Sequence, residues 1–180
     1  MGTINGIVCV DKNWGIGKVN PDTGKGQLLF NLRGDMQMFV SLTSGHTVVM
    51  GENTLLSLPG GQPLKNRINL VLCQPGHYYN NCICFHSFDE IVDFIKRISA
   101  HQDVFIIGGG MFYNAMLPYY DYVYVTKVNA RDDTATTFFP NLDKNEEFIV
   151  SAESAEYAEN GVNFKFYVYE RRQPENELTR

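Results

Sequence analysis

The sequence predicts an α/β fold with a mixed, mostly parallel sheet flanked by helices. Short apolar runs rich in Val and Ile recur along the first two-thirds of the chain, as strands buried on both faces require. Segments with helical periodicity lie between these runs, and this alternation implies parallel crossover connections. The last apolar runs follow one another without a helix, which predicts antiparallel strands at the edge of the sheet.

The predicted elements follow in order. Residues 4–11 are predicted as a first buried strand, and the Gly-, Asn- and Pro-rich stretch 12–30 as a long loop. A helix is predicted over 32–43, where Leu32, Met36 and Phe39 recur at helical spacing. The later strands are predicted at 47–50, 68–72, 82–85, 104–107, 122–128, 147–153 and 162–171, and the later helices at 53–57, 87–98 and after Gly110. We expect one domain over 1–171 and a polar tail over 172–180.

Composition limits the classes of function. In 180 residues, a hydrophobic content of 44% and a charged content of 19% are typical of a globular protein rather than a disordered one. The net charge of −5 and the lack of a Lys/Arg cluster predict neither nucleic acid nor membrane as a partner, so the expected ligand is a small molecule. No apolar run reaches about 18 residues, which predicts a cytoplasmic location. The cysteines are irregularly spaced, and we expect no metal.

Asp35 is the lone acid in the segment 28–39. It lies one position from the apolar stripe of the first predicted helix, so its carboxylate is expected at the rim of an apolar surface. Partial burial disfavours the charged form unless a hydrogen-bond donor compensates. A bound ligand with paired N–H groups would be such a donor, whereas a solvated position on an exposed helix edge is the alternative interpretation.

Three further features suggest ligand contacts. A strand runs into the glycines 108–110 and then a helix, which lets the main chain approach an anion such as a pyrophosphate, although a tight turn would use the same glycines. The segment 14–18 (Trp-Gly-Ile-Gly-Lys) opens the long loop and suits either a mobile cover or a plain surface loop. Arg67 is suited to bidentate capture of a carboxylate, or else is a solvated surface group.

Seven separate pieces of sequence combine into one pattern. They are Ile7-Val8-Cys9-Val10 with Gly15-Ile16-Gly17-Lys18, Phe30-Asn31-Leu32 with Asp35 and Phe39, Val49-Met50-Gly51 with Thr54, Pro63-Leu64 with Arg67-Ile68-Asn69, Ile107-Gly108-Gly109-Gly110 with Tyr113, Thr126, and Phe138-Phe139-Pro140. No single piece is specific. Their order and spacing over residues 4–171 resemble those of dihydrofolate reductase.

The resemblance implies an eight-stranded sheet and the transfer of a hydride from NADPH to 7,8-dihydrofolate, which gives tetrahydrofolate. Asp35 would bind the 2-amino group and N3 of the pterin, assisted through water by Thr126, and its charge would favour protonation of N5. These two are the implied catalytic residues. The resemblance also implies a cis peptide between Gly108 and Gly109, and we expect a monomer.

The implied binding residues form two sets. The substrate set comprises Ile7, Val8, Phe30, Asp35, Met36, Phe39, Leu64, Arg67, Ile107, Tyr113 and Thr126. The cofactor set comprises Cys9, Ile16, Gly17, Lys18, Gly51, Asn53, Thr54, Leu72, Cys73, Gly108, Gly109, Gly110, Met111 and Tyr113. Within these sets, Arg67 would hold the α-carboxylate of the substrate, and the glycines with Thr54 would receive the cofactor phosphates.

The chain departs from the family in the loop before the first helix and in the residues expected around the cofactor. The stretch 17–30 is longer than usual, and Leu29-Phe30 stands where the family has Pro-Trp; Phe cannot donate the indole N–H. Glu52-Asn53 and Cys73-Gln74 stand where the family places basic or serine residues around the 2′-phosphate of NADPH. Because a glutamate repels that phosphate, NADH is the alternative cofactor.

Two other functions stay open. A same-fold reductase of flavin synthesis would act on a ribosylated pyrimidine and share the glycine triplet, but it needs neither the Asp35 helix nor Arg67. A folate- or nucleotide-binding protein without turnover would fit the altered loop and the missing basic residues. Asp35 and Arg67 favour folate reduction.

Overall fold

The computed structural model describes residues 1–174; the remainder of the predicted tail, 175–180, lies outside the described residues. The strands are β1 Ile4–Val10, β2 Gly15–Val19, β3 Gly26–Leu28, β4 Thr47–Gly51, β5 Ile68–Leu72, β6 Ile83–Phe85, β7 Val104–Gly108, β8 Tyr122–Val128, β9 Thr137–Phe138, β10 Phe148–Glu153, β11 Tyr157–Glu159 and β12 Val162–Arg171. The α-helices are α1 Arg33–Thr43, α2 Glu52–Ser57, α3 Phe88–Ser99 and α4 Gly110–Ala115. Short 3-10 turns lie at Pro59–Gly61, Leu117–Tyr119 and Leu142–Lys144.

The main sheet has the spatial order β10-β12-β8-β1-β7-β4-β5-β6, and β11 adds to it by pairing with β12. The six strands from β8 to β6 in this order pair in parallel. Strand β12 is antiparallel to both β8 and β10. The predicted eight-stranded, mostly parallel sheet with antiparallel C-terminal strands is therefore confirmed.

The prediction of a single loop over 12–30 is wrong. Strands β2 and β3 form a hairpin there, and β9 pairs with β2 to complete a separate three-stranded sheet. The side chain of Asn20 accepts hydrogen bonds from the main-chain N–H groups of Asp22 and Thr23, which shapes the hairpin turn. All residues of β3 are exposed, so the sequence lacks the apolar alternation that predicts a strand.

A second hairpin absent from the prediction joins β11 to β12. Asn160 and Gly161 form its turn, with φ values of 52° and 77°. An Asn-Gly pair with positive φ at both positions is typical of two-residue turns that match the twist of a hairpin. This turn places Glu159, a residue late in the sequence, next to the start of α1.

The main sheet carries a different apolar core on each face. On one face, Val8 of β1 packs in the same cluster as the buried Ile91 of α3. On the other face, Ile7 belongs to a cluster with Phe39 of α1. This division follows from the alternation of side chains along a strand. Within residues 1–174, we find no helix of the length and apolarity that a membrane span needs.

Candidate active site

Helix α1 brings Asp35 into the space between the helix and the sheet. Asp35 lies in the first turn, and Leu32, just before the helix, is buried but supplies no side-chain cap. Instead, Glu159 on β11 accepts hydrogen bonds from the N–H groups of Arg33 (2.5 Å) and Gly34 (3.1 Å). These bonds satisfy two of the free amides at the helix start. Strand β11 therefore helps to fix where α1 begins.

Asp35 is held by β8 from the sheet side. Thr126 Oγ1 donates a hydrogen bond to Asp35 Oδ1 at 2.7 Å, so the contact is direct rather than through the implied water. Burial raises the pKa of Asp35; the bond from Thr126 opposes this rise, and the charge of Glu159 adds to it. Cys9 lies nearby, and burial followed by the charge of Asp35 raises the pKa of its thiol. This partly desolvated carboxylate favours a ligand that donates hydrogen bonds.

Apolar side chains surround the face of α1 that carries Asp35. Phe39 of α1, Ile7 of β1, Ile107 of β7 and Leu64 before β5 pack around one cluster. Met36 stays 48% exposed. Phe30 packs against a neighbouring cluster around Leu32. Apolar walls with a single carboxylate are the surroundings that a flat heteroaromatic ligand requires.

Arg67 lies on the same flank of α1. Its Nε donates to Thr43 Oγ1 at 3.1 Å, its Nη1 donates to the carbonyl of Lys65 at 2.9 Å, and its Cζ is 5.9 Å from the ring centre of Phe39. Its Nη2 is buried and has no hydrogen-bond partner within residues 1–174. Burial lowers the pKa of Arg67, but a guanidinium stays charged. A buried donor without a partner is costly, and a ligand carboxylate would satisfy it.

The ends of β4 and β7 meet at a cradle of glycines. Gly108 and Gly109 are joined by a cis peptide, which confirms that implication of the resemblance. A Cβ atom on Gly108 or Gly109 would lie 3.1 or 3.3 Å from Thr54 Oγ1, and one on Gly110 would lie 2.4 Å from Thr137 Cγ2. Side chains on these residues would therefore require Thr54 or Thr137 to move. Gly109 and Gly110 are partly exposed, at the carboxyl ends of parallel strands, where nucleotides bind.

Strand β2 lies beside this cradle through β9. Gly17 pairs with Thr137, the residue against which Gly110 packs. Lys18 Nζ is 2.9 Å from Asp132 Oδ2, which ties the end of β2 to the segment before β9. Residues 16–18 thus border the glycine cradle, as a cover over a bound cofactor would.

The structure assigns other roles to several predicted side chains. Val8, Ile16 and Cys73 are buried in the apolar cores, so only their main chain can meet a ligand. Tyr113 is also buried, and its hydroxyl donates to the carbonyl of Ile7 at 2.7 Å. Met111 is 90% exposed. Leu72 packs against the apolar cluster on the face of the sheet that α3 covers. Gly51 and Asn53 lie at the start of α2.

Sequence reasoning did not anticipate the contacts of Glu52. Its Oε1 accepts a hydrogen bond from Tyr79 Oη at 2.6 Å and lies 2.5 Å from His77 Nδ1, while the N–H of Gln74 donates to Oε2 at 3.3 Å. The bond from Tyr79 is the main cause that lowers the pKa of Glu52. The carboxylate is therefore ionised and fixed at the start of α2. Tyr79 and His77 lie 27 and 25 positions away, so no local pattern could reveal them.

Known proteins match this chain over nearly its whole length. A family model described as dihydrofolate reductase matches residues 3–171. The chain is 32% identical to the dihydrofolate reductase of Bacillus subtilis (strain 168) over 171 residues, which cover 94% of this chain and 95% of that protein. The chain belongs to the dihydrofolate reductase family.

Other members of the dihydrofolate reductase family match as well. The viral dihydrofolate reductase of Saimiriine herpesvirus 2 (strain 488) is 33% identical over 193 positions, which cover 93% of this chain and 84% of that protein. A solved structure of dihydrofolate reductase from Enterococcus faecalis, complexed with NADP(H) and RAB-propyl, superposes with a TM-score of 0.80. It covers 96% of this chain and 98% of that chain at 24% identity, which supports the shared fold.

Family membership identifies the activity as NADPH-dependent reduction of dihydrofolate. It favours this reaction over that of the same-fold reductase of flavin synthesis. The direct Asp35–Thr126 bond agrees with the choice, as does the Nη2 of Arg67, which lacks a partner among the described residues 1–174. A ribosylated pyrimidine carries no glutamate tail to pair with Arg67.

The role of Glu159 leads to a prediction. Glu159→Gln should destabilise the protein by about 1 kcal/mol, because a neutral amide caps the amides of Arg33 and Gly34 less well. It should also lower the pKa of Asp35, because one nearby negative charge is lost. Urea unfolding and the pH dependence of kcat measure the two effects. Glu156→Gln, at a neighbouring exposed position, is the matched control, and equal effects in both variants would contradict the cap.

Proposed function

We propose that Asp35 and Arg67 bind the two ends of dihydrofolate along α1. The observation that carries the proposal is the pairing of a partly desolvated carboxylate with a buried guanidinium nitrogen that has no partner within residues 1–174. Phe39 lies between them, since it follows Asp35 by one helical turn and its ring contacts Arg67. A pterin with paired N–H groups complements Asp35, and a glutamate α-carboxylate complements Arg67.

Asp35 would act in two ways. Its carboxylate orients the pterin through hydrogen bonds, and its negative charge favours a proton on N5, which makes C6 a better hydride acceptor. Thr126 leaves Oδ2 of Asp35 free for the ligand, because it bonds to Oδ1. Tyr113 anchors the carbonyl of Ile7, which holds β1 in place below the ring. Thr126 and Tyr113 are therefore positioning residues.

The glycine cradle fits the phosphates of a nicotinamide cofactor. Side chains at Gly108, Gly109 or Gly110 would crowd Thr54 and Thr137, and Gly109 and Gly110 are partly exposed at the strand ends. When bound, the cofactor supplies the hydride. Gly17 and Lys18 of β2 would cover it from the side of β9.

The first experiment measures turnover. Dihydrofolate should accelerate the loss of absorbance of NADPH, with tetrahydrofolate as the product. Binding of dihydrofolate without oxidation of either reduced cofactor would instead support the non-catalytic alternative. No binding of dihydrofolate would overturn the substrate assignment itself.

Cofactor preference gives a second test. Glu52 is fixed by Tyr79 and His77, so its negative charge would face the 2′-phosphate of NADPH if the adenine ribose lies beside α2. We expect a smaller preference for NADPH over NADH than is usual, and Glu52→Arg should shift it toward NADPH by about 1–3 kcal/mol, roughly tenfold to a hundredfold. The measurement is the ratio of kcat/KM for the two cofactors at fixed salt.

Two results together would show that a residue other than position 52 determines how the 2′-phosphate of NADPH is bound. Strong NADPH preference in the unchanged protein, together with indifference to Glu52→Arg, would place another cation at the phosphate. The side chain of His77 is the nearest one that can carry a positive charge, at 2.5 Å from Glu52 and 55% exposed. Lys65 is a poorer choice, because it lies on the substrate side, where its carbonyl holds Arg67. Glu90→Arg on α3 is a matched control for added charge.

We also propose that residues 1–171 form a single domain that acts as a cytoplasmic monomer without nucleic-acid or membrane partners. The acidic net charge of −5 supports the choice of small-molecule partners. Light scattering on the purified protein gives the oligomeric state.

A further inference from the structure

A second space lies beneath α1, on the flank away from Arg67. Met38 and Leu42 are four positions apart and form one row along the helix, while Phe39 and Thr43 form the next row. Arg67 contacts both members of the Phe39/Thr43 row, which places the proposed substrate cleft on that side. Met38 and Leu42 line the second space, which we call the rear cavity.

The rear cavity has a volume of about 300 Å³ and mainly apolar walls. Its lining includes Asp35, Met38, Leu42, Tyr124, Glu153 and Phe166. Small side chains line the mouth of the cavity, at Ala152 in β10 and at Ser154 just after it. The pairing of β10 with β12 shifts register between Val150 and Ala152.

Asp35 forms the shared wall between the two spaces. Asp35 lies at the start of both rows of α1, three positions before Met38 and four before Phe39. Thr126 donates a hydrogen bond to it from the sheet. A molecule in the rear cavity would therefore contact the carboxylate from the side opposite Arg67. The ionisable groups around Asp35 are Cys9 on β1, Tyr113 on α4 and Glu159 on β11.

We propose that the rear cavity is a second small-molecule site, which takes an uncharged bicyclic aromatic compound with one N–H donor. The volume is about twice that of a cavity of about 150 Å³ that holds benzene. Met38, Phe166 and Tyr124 suit an aromatic ring. The mainly apolar walls disfavour a charged compound, and the acids Asp35 and Glu153 further disfavour an anion. Glu153 is already paired with Lys165 at 2.9 Å. One N–H group would meet Asp35 at an acceptor position that the pterin leaves unused, since an ionised carboxylate has about four such positions.

Occupancy of the rear cavity should slow turnover without excluding the substrate. The compound removes water from Asp35 and engages the carboxylate that otherwise favours protonation of the pterin. This consequence depends on the proposed function of Asp35, whereas binding does not. We therefore expect indole, the probe compound, to lower kcat and leave the KM for dihydrofolate nearly unchanged.

The test is an NMR titration of the full chain with indole, with and without saturating dihydrofolate and without cofactor, so that no turnover is needed. Indole should bind saturably in both conditions. Ala152→Leu, which fills the mouth, and Met38→Trp, which fills the cavity from the helix, should each weaken binding roughly tenfold or more. Ala158→Leu, on the exposed strand β11, is the matched control and should bind indole normally.

Three outcomes would overturn the second site. Displacement of indole by dihydrofolate would place indole in the substrate cleft. Unchanged affinity in both filled variants, with native spectra, would place it elsewhere on the surface. Absence of binding up to the solubility of indole would remove the site. If dihydrofolate is not turned over at all, the titration still decides the second site, and only the function of Asp35 fails.

Discussion

Asp35→Asn is expected to lower kcat for dihydrofolate at neutral pH by about 10²–10⁴-fold. Asparagine keeps an oxygen that can accept the bond from Thr126, so the local geometry at 2.7 Å is retained. It lacks the negative charge that favours a proton on N5. The deficit should shrink as the pH falls, because substrate protonated in solution needs less help.

The stability of Asp35→Asn separates a chemical defect from misfolding. Burial raises the pKa of Asp35, so the folded protein binds this proton more tightly than the unfolded chain does. Ionisation of Asp35 then costs stability as the pH rises through the window between its unfolded pKa, about 4, and its higher folded pKa. Asp35→Asn should therefore be at least as stable as the unchanged protein at neutral pH and lose this advantage at acidic pH.

Thermal unfolding at several pH values, beside steady-state kinetics, makes both measurements. Asp93→Asn, on the exposed side of α3, is the matched control and should change neither quantity. Turnover of Asp35→Asn near that of the unchanged protein at neutral pH would remove Asp35 from the mechanism.

Arg67→Leu should raise the KM for dihydrofolate roughly tenfold to a hundredfold, because a lost charge-assisted hydrogen bond costs about 1.5–3 kcal/mol. The reason is the buried Nη2, which has no partner among residues 1–174 and would gain one when a carboxylate binds. A pterin without the glutamate tail never makes this contact. Its KM should therefore change little.

A structural contribution of Arg67 can be separated by comparing variants. Its bonds to Thr43 and to the carbonyl of Lys65 stabilise the segment before β5, so some loss of stability accompanies Arg67→Leu. Arg67→Lys keeps a cation but not the planar fork, and should give an intermediate KM. Equal loss for the full and the truncated substrate would show that Arg67 supports the fold instead.

The strands of the parallel sheet could be predicted because each is a short apolar run. Strands β1, β4, β5, β7 and β8 are buried along most of their length, and burial leaves a continuous signal in sequence. Strand β3 is fully exposed and carries no such signal. Strand β11 is also short and was not predicted, although an Asn-Gly pair such as Asn160-Gly161 is typical of a hairpin turn.

The candidate site could be predicted only where the residues that form it lie close together in the sequence. Asp35 and Phe39 lie on one helix and the glycines 108–110 are consecutive, so helical spacing and chain order locate them. Which face of the sheet a strand residue lies on is not given by the sequence alone. Val8, which the resemblance places in the substrate set, packs its side chain toward α3. Glu159 contacts Gly34 across 125 positions, which no local pattern contains.

The link between Glu159 and α1 ties the catalytic acid to the order in which the chain is made. Asp35 is synthesised early, yet the amides at the start of its helix donate to the carboxylate of Glu159. That residue lies 125 positions after Gly34. Until β11 and β12 have left the ribosome and paired, α1 lacks this cap, and Asp35 lacks the neighbouring charge that raises its pKa. A nascent chain that already contains every predicted ligand contact therefore still lacks Glu159, the residue that caps α1 and adds to the rise in the pKa of Asp35. The last hairpin to be made completes the first helix.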